Sequence, residues 1–319
     1  MKVAITGGTG FVGRHLAARL IEHGHEVVAL GRPGGAERTG LLPQAQLVGV
    51  DIDDLAGLTA AFNGCTAVAH CAGINREIGS QTYAAVHIQG TSNVVRAAQA
   101  AGVERIVMLS FLRARPDGPS SYHRSKWSAE ELVRGSGLTW TVLKSGVIHG
   151  RGDHMLDHLS RAFYTFPIFG LVGMRERPVR PVAVDDVARV LEAAVTGDSR
   201  LANRTLAVLG PELLPLGDAV RRVARVTGRR PLFIRLPIAA QLVIGHVAEL
   251  VMRVPLVSLA QVRILEEGVA EAAPTADSLP PDLVPTTPFS EAVIRAGLPE
   301  PGGFGCSDLR WCARSTAVS

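Results

Sequence analysis

A tyrosine and a lysine stand four residues apart in the segment SYHRSK (121–126). Residues with this spacing share one face of a helix, so a helix here presents Tyr122 and Lys126 together. A free tyrosine has a pKa of roughly 10, and a neighbouring ammonium lowers that pKa by stabilising the phenolate. The pair could exchange a proton with a carbonyl or an alcohol. Of 33 basic residues only three are lysines, namely Lys2, Lys126 and Lys144. Because lysine is so rare, the spacing of Tyr122 and Lys126 is not readily explained by chance. The alternative is that Tyr122 is an ordinary surface tyrosine on a helix.

A glycine-rich turn, TGGTGFVG, follows the first apolar run of the chain and precedes an amphipathic segment. In this context the turn predicts a dinucleotide site, because Gly7 permits a tight turn, Gly10 lets the backbone approach a pyrophosphate, and Gly13 lets the helix pack on the strand. The first amides of the helix then face the phosphates. The alternative is a plain strand-to-helix turn. The residues predicted to contact the cofactor here are Gly7, Thr9, Gly10, Phe11, Val12 and Gly13.

The residues after the second and third predicted strands bear on the choice of dinucleotide. NAD-binding proteins usually place a carboxylate after the second strand, where this chain has Gly31 and Arg32. An arginine can bind a 2′-phosphate, so we expect NADP rather than NAD, unless Arg32 is only a solvated loop residue. Asp51, with Ile52 beside it, is predicted to contact the adenine, or alternatively to cap the helix that follows.

Apolar periodicity predicts a chain of alternating strands and helices, which means a doubly wound parallel sheet covered on both faces. The second half is predicted to be looser, with Thr165–Gly173 and Ala272–Pro288 as loops. The predicted strands of the first half and its edge are Lys2–Thr6, Glu26–Leu30, Gln46–Val50, Thr66–Cys71, Arg105–Ser110, Thr139–Lys144 and Arg204–Leu209. The main predicted helices are Phe11–His23, Leu55–Phe62, Tyr83–Ala101, Ser121–Arg134, Leu216–Val226, Ala239–Met252 and Leu259–Glu267.

Composition excludes several classes of protein. Apolar residues make up 47% and charged residues 19% of the 319, which rules out a mainly disordered chain. A net charge of +4 is too mild and dispersed to indicate a nucleic-acid partner. The N-terminus enters a strand without a signal-peptide pattern, and four cysteines make neither a zinc pattern nor a disulfide framework, so we expect a cytoplasmic protein. Leu236–Ala248 is too short to span a bilayer and predicts a buried helix, with contact at a membrane surface as the alternative.

These motifs together resemble the short-chain dehydrogenase/reductase superfamily over roughly residues 1–210, and its extended and atypical branches most closely. TGGTGFVG, QGTSNVVRAAQAAGV, YHRSK and VIHGRGDHML followed by RPVAVDDVA carry the resemblance. It implies a Rossmann domain from 1–144 and about 181–209, and a smaller α/β substrate domain from about 145–180 and 210–301. Residues 302–319 are predicted to be a loose tail. Further cofactor contacts implied by the resemblance are Ala72, Gly73, Ser145, Gly146 and Val147.

The chain departs from the superfamily at three positions. The catalytic serine or threonine usually lies one or two residues beyond the fifth strand, whereas Ser110 comes earlier; Ser110 could polarise a substrate carbonyl or touch the nicotinamide, with Ser120 or Ser121 as substitutes. His87 takes the place of an asparagine, and Lys144 stands where arginine is common. Some atypical members bind the nucleotide without turnover, so these changes bear on catalysis rather than on binding.

Other polar clusters give weaker signals. His154 and His158 share a helical face, but the carboxylate pattern of a metal site is lacking, so we predict no metal. We expect an NADP(H)-dependent oxidoreductase acting on a carbonyl or secondary alcohol of a small, apolar molecule, with Tyr122, Lys126 and Ser110 as catalytic residues. The alternatives are a non-catalytic NADP(H)-binding accessory or redox-sensing protein, and an epimerase or dehydratase acting by transient oxidation. Oligomeric state is not predicted.

Overall fold

The structure is a computed structural model of the chain and describes residues 1–33, 44–252, 259–274 and 276–309. The backbone divides into two compact units, each taken separately below. Unit 1 comprises Met1–Gly146, Val182–Leu209 and Glu271–Thr287, and unit 2 comprises Val147–Pro181, Gly210–Ala270 and the chain from Pro288 onward.

The strands and helices of the described residues follow in chain order. The strands are β1 (Lys2–Thr6), β2 (Glu26–Gly31), β3 (Gln46–Gly49), β4 (Ala67–His70), β5 (Arg105–Phe111), β6 (Thr139–Ser145), β7 (Ile148–His149), β8 (Ile168–Val172), β9 (Pro178–Val179), β10 (Val182–Ala183), β11 (Arg204–Val208), β12 (Leu214–Pro215) and β13 (Leu232–Leu236). The α-helices are α1 (Phe11–Glu22), α2 (Leu55–Phe62), α3 (Gly90–Ala100), α4 (Ser121–Arg134), α5 (His154–Thr165), α6 (Val184–Thr196), α7 (Leu216–Val226), α8 (Ile238–Val251), α9 (Leu259–Glu267) and α10 (Glu291–Gly297).

Unit 1 is built on a seven-stranded sheet in the order β11-β6-β5-β4-β1-β2-β3, with every neighbouring pair parallel. The order reverses between β1 and β4, and ligands of such sheets bind at the carboxyl ends of the strands at this reversal. The predicted doubly wound Rossmann sheet is therefore confirmed. Its inner strands are nearly continuous apolar runs because helices cover both faces.

The core of unit 1 explains this coverage. One face of the sheet packs against α2, α3 and α4 through large side chains such as Leu58, Phe62, Val94 and Val133. The other face carries α1 and α6, whose buried side chains include Leu16 and Leu20 of α1. The long helix predicted over Tyr83–Ala101 is divided, because a π-helical segment, Ala84–Gln89, directly precedes α3.

Residues 271–287 return to unit 1 along the outer edge of β11. The Asp277 amide donates to the Thr205 carbonyl (2.8 Å) and the Ala207 amide donates to the Asp277 carbonyl (3.1 Å). The expectation that 210–301 forms one stretch of the second domain differs from this arrangement. The reason is that the β11 edge needs hydrogen-bond partners, and a distant segment supplies them.

Unit 2 holds a small parallel ladder of β8 and β13, whose inner face carries Phe169, Leu171 and Phe233. The prediction of a loop over Thr165–Gly173 is wrong, because Ile168–Val172 finds its pairing partner more than sixty residues later in the chain. The tail prediction is wrong for residues 302–309, since the ring of Phe304 packs on the Arg161 guanidinium at 4.4 Å. Residues 310–319 lie outside the described residues.

The described residues also bear on the predictions about membrane spans and metal sites. No described helix combines the length and the apolar character needed to cross a membrane. Within the same residues, histidine, cysteine and carboxylate side chains form no group of three that could hold a metal ion.

Candidate active site

The glycine-rich turn joins β1 to α1 at the reversal of the sheet. Gly7 has φ +70°, and a Cβ there would stand 2.8 Å from the backbone nitrogen of Ala72, which follows β4. A Cβ on Gly13 would overlap the carbonyl oxygen of Gly7. Because α1 begins at Phe11, its first amides have no acceptor within the helix. The turn thus offers an anion site of backbone N–H groups, which fits a pyrophosphate.

The end of β2 carries no carboxylate. Gly31 leaves room for Thr9, whose Oγ1 would lie 2.5 Å from a Cβ on that glycine, and Arg32 follows with an exposed side chain. Asp51 does not cap α2, because the carboxylate of Asp54 does so by accepting from the Gly57 amide at 2.9 Å.

This observation removes the capping alternative for Asp51, whose Oδ1 accepts the amide of Ile52 at 2.6 Å. The side chain of Ile52 packs against α3, where a Cβ on Gly90 would lie 2.9 Å from it.

Helix α4 turns Lys126 towards the sheet. Its ammonium is buried and donates to the Leu109 carbonyl of β5 at 3.0 Å. Burial lowers the pKa of Lys126 to about 8, against the opposing effect of the Glu130 carboxylate. The Lys126 charge also acts on the Cys71 thiol, whose pKa burial raises to about 12. The helix therefore meets the end of β4 at this lysine, which stays mostly protonated at neutral pH.

Tyr122 lies one turn before Lys126 among aromatic rings. Its ring centroid is 5.2 Å from Phe111, 5.6 Å from Tyr83 and 5.6 Å from His87. Burial raises the pKa of the Tyr122 phenol above its ordinary value. The expectation that Lys126 lowers this pKa is therefore wrong, because the shift comes from loss of solvation, which disfavours the charged phenolate.

Ser110 belongs to a buried charge network rather than to the tyrosine. Its hydroxyl donates to Glu130 Oε1 at 2.6 Å, and Glu130 lies eight residues beyond Tyr122, about 12 Å along the helix. Strand β5 also runs one residue further than predicted, so Phe111 takes the position next to Tyr122. The structure therefore gives no support to Ser110 as the group that polarises a carbonyl beside Tyr122.

The same network explains the departure from the superfamily at Lys144. The Lys144 ammonium is fully buried, 3.3 Å from Glu130 Oε1, and donates to the Ala114 carbonyl at 2.8 Å. Arg134 closes the network with a 2.6 Å bond to Glu130 Oε2. Lys144 thus connects β6 to helix α4 and to the segment that follows β5. Glu130 was missed from the sequence, although its spacing places it one turn beyond Lys126 on the same face.

His87 links two segments of the candidate site. Its Nε2 accepts the Ile74 amide at 3.1 Å, so the proton lies on Nδ1, which donates to Ser125 Oγ at 2.9 Å. The Ser125 hydroxyl in turn donates to the Tyr122 carbonyl at 3.0 Å. Burial lowers the pKa of His87 to about 2, which keeps the ring neutral. The departure His87 therefore ties the loop after Ala72 and Gly73 to the helix that carries Tyr122.

The remaining predicted cofactor contacts, Ser145, Gly146 and Val147, lie at the end of β6, where unit 1 passes into unit 2. The Ser145 hydroxyl donates to the Val208 carbonyl of β11 at 3.3 Å, so the side chain serves the sheet edge. Gly146 ends the first part of unit 1, and Val147 begins unit 2. Of the substitutes considered for Ser110, Ser120 shares a 2.7 Å hydrogen bond with His123 Nδ1.

Three comparisons place this geometry among known proteins. The sequence model of an NAD(P)H-binding family matches residues 7–162, which include both the glycine turn and the Tyr122–Lys126 pair. A ceramide reductase of Caulobacter vibrioides is 28% identical over 235 residues, which are 74% of this chain and 73% of that protein. Residues 7–162 thus match an NAD(P)H-binding family, in keeping with the resemblance of the motifs to the extended short-chain dehydrogenase/reductase family.

Two further similar proteins bear on the length and the fold of the chain. An uncharacterised protein of Mycobacterium tuberculosis is 32% identical over 241 residues, which are 71% of this chain but 25% of that protein, so the chain spans about a quarter of its length. A quinone oxidoreductase of Escherichia coli, solved with NADPH, superposes with a TM-score of 0.69 at 21% identity, covering 91% of this chain and 98% of that one. This second likeness shows that the chain shares the fold of that protein.

Proposed function

We propose that the protein is an NADP(H)-dependent oxidoreductase that reduces a carbonyl, or oxidises the matching secondary alcohol, of a small apolar molecule. The observation that carries the proposal is the position of Tyr122 one helical turn before Lys126 on α4, where the Lys126 ammonium is buried and donates to the Leu109 carbonyl of β5. At Gly7 and Gly13 a Cβ would meet protein backbone, so these glycines permit the tight turn whose amides suit a dinucleotide pyrophosphate. When bound, the cofactor supplies or accepts the hydride.

Tyr122 acts as the proton donor in reduction. An alkoxide forming on a substrate carbonyl is a much stronger base than a phenolate, so a phenol with a raised pKa can still protonate it. The raised pKa keeps the phenol protonated at neutral pH, which is the form that donates a proton. Lys126, still cationic below its pKa of about 8, stabilises the phenolate left behind and can hold a ribose hydroxyl.

The surroundings of Tyr122 favour an apolar substrate. The buried rings of Tyr83 and Phe111 stand within 5.6 Å of its ring centroid, so the phenol lies in apolar, aromatic surroundings. The similarity to a ceramide reductase is in keeping with an apolar carbonyl substrate. Quinones and long-chain ketones are therefore the first compounds to test.

The choice of NADP(H) rests on Gly31 and Arg32. A carboxylate at this position would repel a 2′-phosphate, whereas the exposed guanidinium of Arg32 is available to bind it. We expect Arg32→Ala to weaken NADPH binding about tenfold or more and to leave NADH binding unchanged. Arg96→Ala, which removes an exposed arginine from α3, is the matched control. Equal affinities for NADPH and NADH in the unaltered protein would overturn the cofactor assignment.

The activity is tested with a panel of ketones and quinones, following NADPH absorbance. Tyr122→Phe should lower turnover by about 10²–10⁴-fold while NADPH affinity, measured by nucleotide fluorescence, stays the same. Unchanged NADPH affinity shows that the variant is folded. Turnover that survives Tyr122→Phe would remove Tyr122 as the proton donor.

A second candidate function is NADP(H) binding without turnover, as in an accessory or redox-sensing protein. The observation favouring it is the Ser110 hydroxyl, which donates to Glu130 instead of facing the substrate. Under this alternative NADPH binds with the same dependence on Arg32, but no compound of the panel is reduced even in a single turnover. The two candidates therefore share the binding result and differ in the chemical one.

A further inference from the structure

Helix α8 in unit 2 is apolar almost all the way round. Its sequence IAAQLVIGHVAELV contains Gln241, His246 and Glu249 as its only polar residues. A helix that is apolar on every side is expected to be covered on every side. One side is covered, with Gln241, Gly245 and Ala248 buried. The opposite side exposes Val243, Ile244, Val247 and Leu250.

The ladder of β8 and β13 extends this exposed surface. Gln241 Nε2 donates to the Gly170 carbonyl at 3.1 Å, which sets α8 against the ladder. A Cβ on Gly170 would meet the Leu236 and Gln241 side chains, so α8 covers this end of one ladder face. By strand alternation, that face also carries Ile168, Leu232 and Ile234, which are exposed. We call the seven exposed side chains of α8 and the ladder the apolar face.

Charge is distributed unevenly around the apolar face. None of its seven members is charged, although the exposed His246 lies on the same side of α8. Two exposed arginines, Arg229 and Arg230, precede β13 with Pro231 between, and the Arg229 guanidinium stacks on the Tyr164 ring at 4.3 Å. The nearby carboxylate of Glu176 is paired with Arg235, and that of Glu249 accepts the Leu259 amide at 3.0 Å. The surface thus combines exposed aliphatic side chains with a basic rim.

We propose that the apolar face docks on the surface of a lipid bilayer that contains anionic lipids. The 14 residues of α8 extend only about 21 Å, too short to cross a bilayer, but suited to lie in the headgroup region with the aliphatic side inward. Arg229 and Arg230 then meet lipid phosphates. A second copy seated on the same face by two-fold symmetry would bring two basic rims together, which favours lipid over self-association.

The experiment is vesicle flotation with the full chain. Vesicles of phosphatidylcholine with about one third phosphatidylserine are compared with vesicles of phosphatidylcholine alone. We expect the protein to float with the anionic vesicles and to dissociate as salt is raised. This inference concerns unit 2 only, so far-ultraviolet circular dichroism and a thermal unfolding curve of the full chain check that each variant in unit 2 is folded.

Two pairs of variants distinguish docking through the apolar face from nonspecific adsorption to the vesicles. Leu250→Glu places a charge on the apolar face and should lower vesicle binding more than tenfold, whereas Leu213→Glu, at 62% exposure against 60% for Leu250, should not. Arg230→Gln and Arg96→Gln each remove one positive charge. The first should lower binding to anionic vesicles about fivefold and the second should have no effect.

Three outcomes would overturn the proposal. The first is the absence of flotation with either kind of vesicle. The second is an equal loss of binding in the matched controls, which would mean that net charge alone drives adsorption. The third is a dimer in sedimentation velocity that Leu250→Glu dissociates while vesicles fail to bind, which would assign the apolar face to a second copy of the chain.

Discussion

The charge on Glu130 should control both the stability of unit 1 and the ionisation of Lys126. The side chain is fully buried and lies 3.3 Å from the Lys144 ammonium, whose side chain is 1% exposed. Glu130→Gln keeps an acceptor for the Ser110 hydroxyl but removes the charge and replaces the oxygen that accepts from Arg134 with an amide donor. Leaving one member of a buried ion pair uncompensated costs about 3–5 kcal/mol. We expect a loss of that size in the free energy of unfolding.

The chain offers a matched control on the same helix. Glu131 pairs with Arg134 as Glu130 does, but its side chain is 55% exposed. Glu131→Gln should cost less than about 1 kcal/mol, because solvent screens an exposed pair. Urea unfolding followed by tryptophan fluorescence suits the comparison, since the Lys144 ammonium and the Arg134 guanidinium lie 5.5 Å and 4.9 Å from the Trp127 ring.

A double variant tests the reasoning directly. Lys144→Met removes the cation that Glu130→Gln leaves unpaired, so the two together should regain about 2 kcal/mol of the summed losses. Glu130 also raises the pKa of Lys126, so Glu130→Gln should shift the alkaline limit of activity to lower pH. The reasoning is refuted if Glu130→Gln is no more destabilising than Glu131→Gln, or if the losses of Glu130→Gln and Lys144→Met simply add.

Three other predictions follow from single groups. Gly13→Ala should abolish NADPH binding, because the added Cβ overlaps the carbonyl oxygen of Gly7. The control Gly24→Ala, whose added Cβ meets open space, should cost about 1 kcal/mol of stability and leave NADPH binding, measured by nucleotide fluorescence, intact. Turnover should fall as pH rises above about 8, where Lys126 loses its proton, and a rate that stays flat to pH 10 would contradict this role. His70 and His87 have pKa values lowered to about 3 and about 2 by burial. They are neutral when folded and bind protons below pH 6.5 when unfolded, so thermal unfolding should show stability that is full above pH 6.5 and falls by up to about 1.4 kcal/mol per histidine per pH unit below it.

The parts of the molecule that depend on local sequence could be predicted. The glycine turn is one continuous segment, and the Tyr122–Lys126 spacing needs only a helix, so both were recognised without a structure. The parallel sheet was predicted from the alternation of apolar strands and helices and is confirmed, and the family resemblance agrees with the NAD(P)H-binding family that matches residues 7–162. The roles of Tyr122, Lys126 and the cofactor contacts stay predictions.

The parts that depend on distant partners could not be predicted. The position of Ser110 relative to Tyr122 required the end of β5 to be known within one residue, and strand ends are set by pairing with β6. The role of Lys144 required Glu130 on another element, and β8 required β13. His87 was noticed only as a departure, because its two partners come from separate segments.

The buried ammonium of Lys144 also constrains how the protein is synthesised. Its nearby acceptors include the Ala273 carbonyl at 3.5 Å, in the same returning segment that closes the edge of β11. A ribosome adding about 5–20 residues per second makes that segment several seconds after Lys144 itself. Until then unit 1 has an open strand edge at β11, and the Lys144 ammonium lacks the Ala273 carbonyl as an acceptor. Nascent chains should therefore acquire protease resistance in unit 1 only after residue 287 has left the exit tunnel.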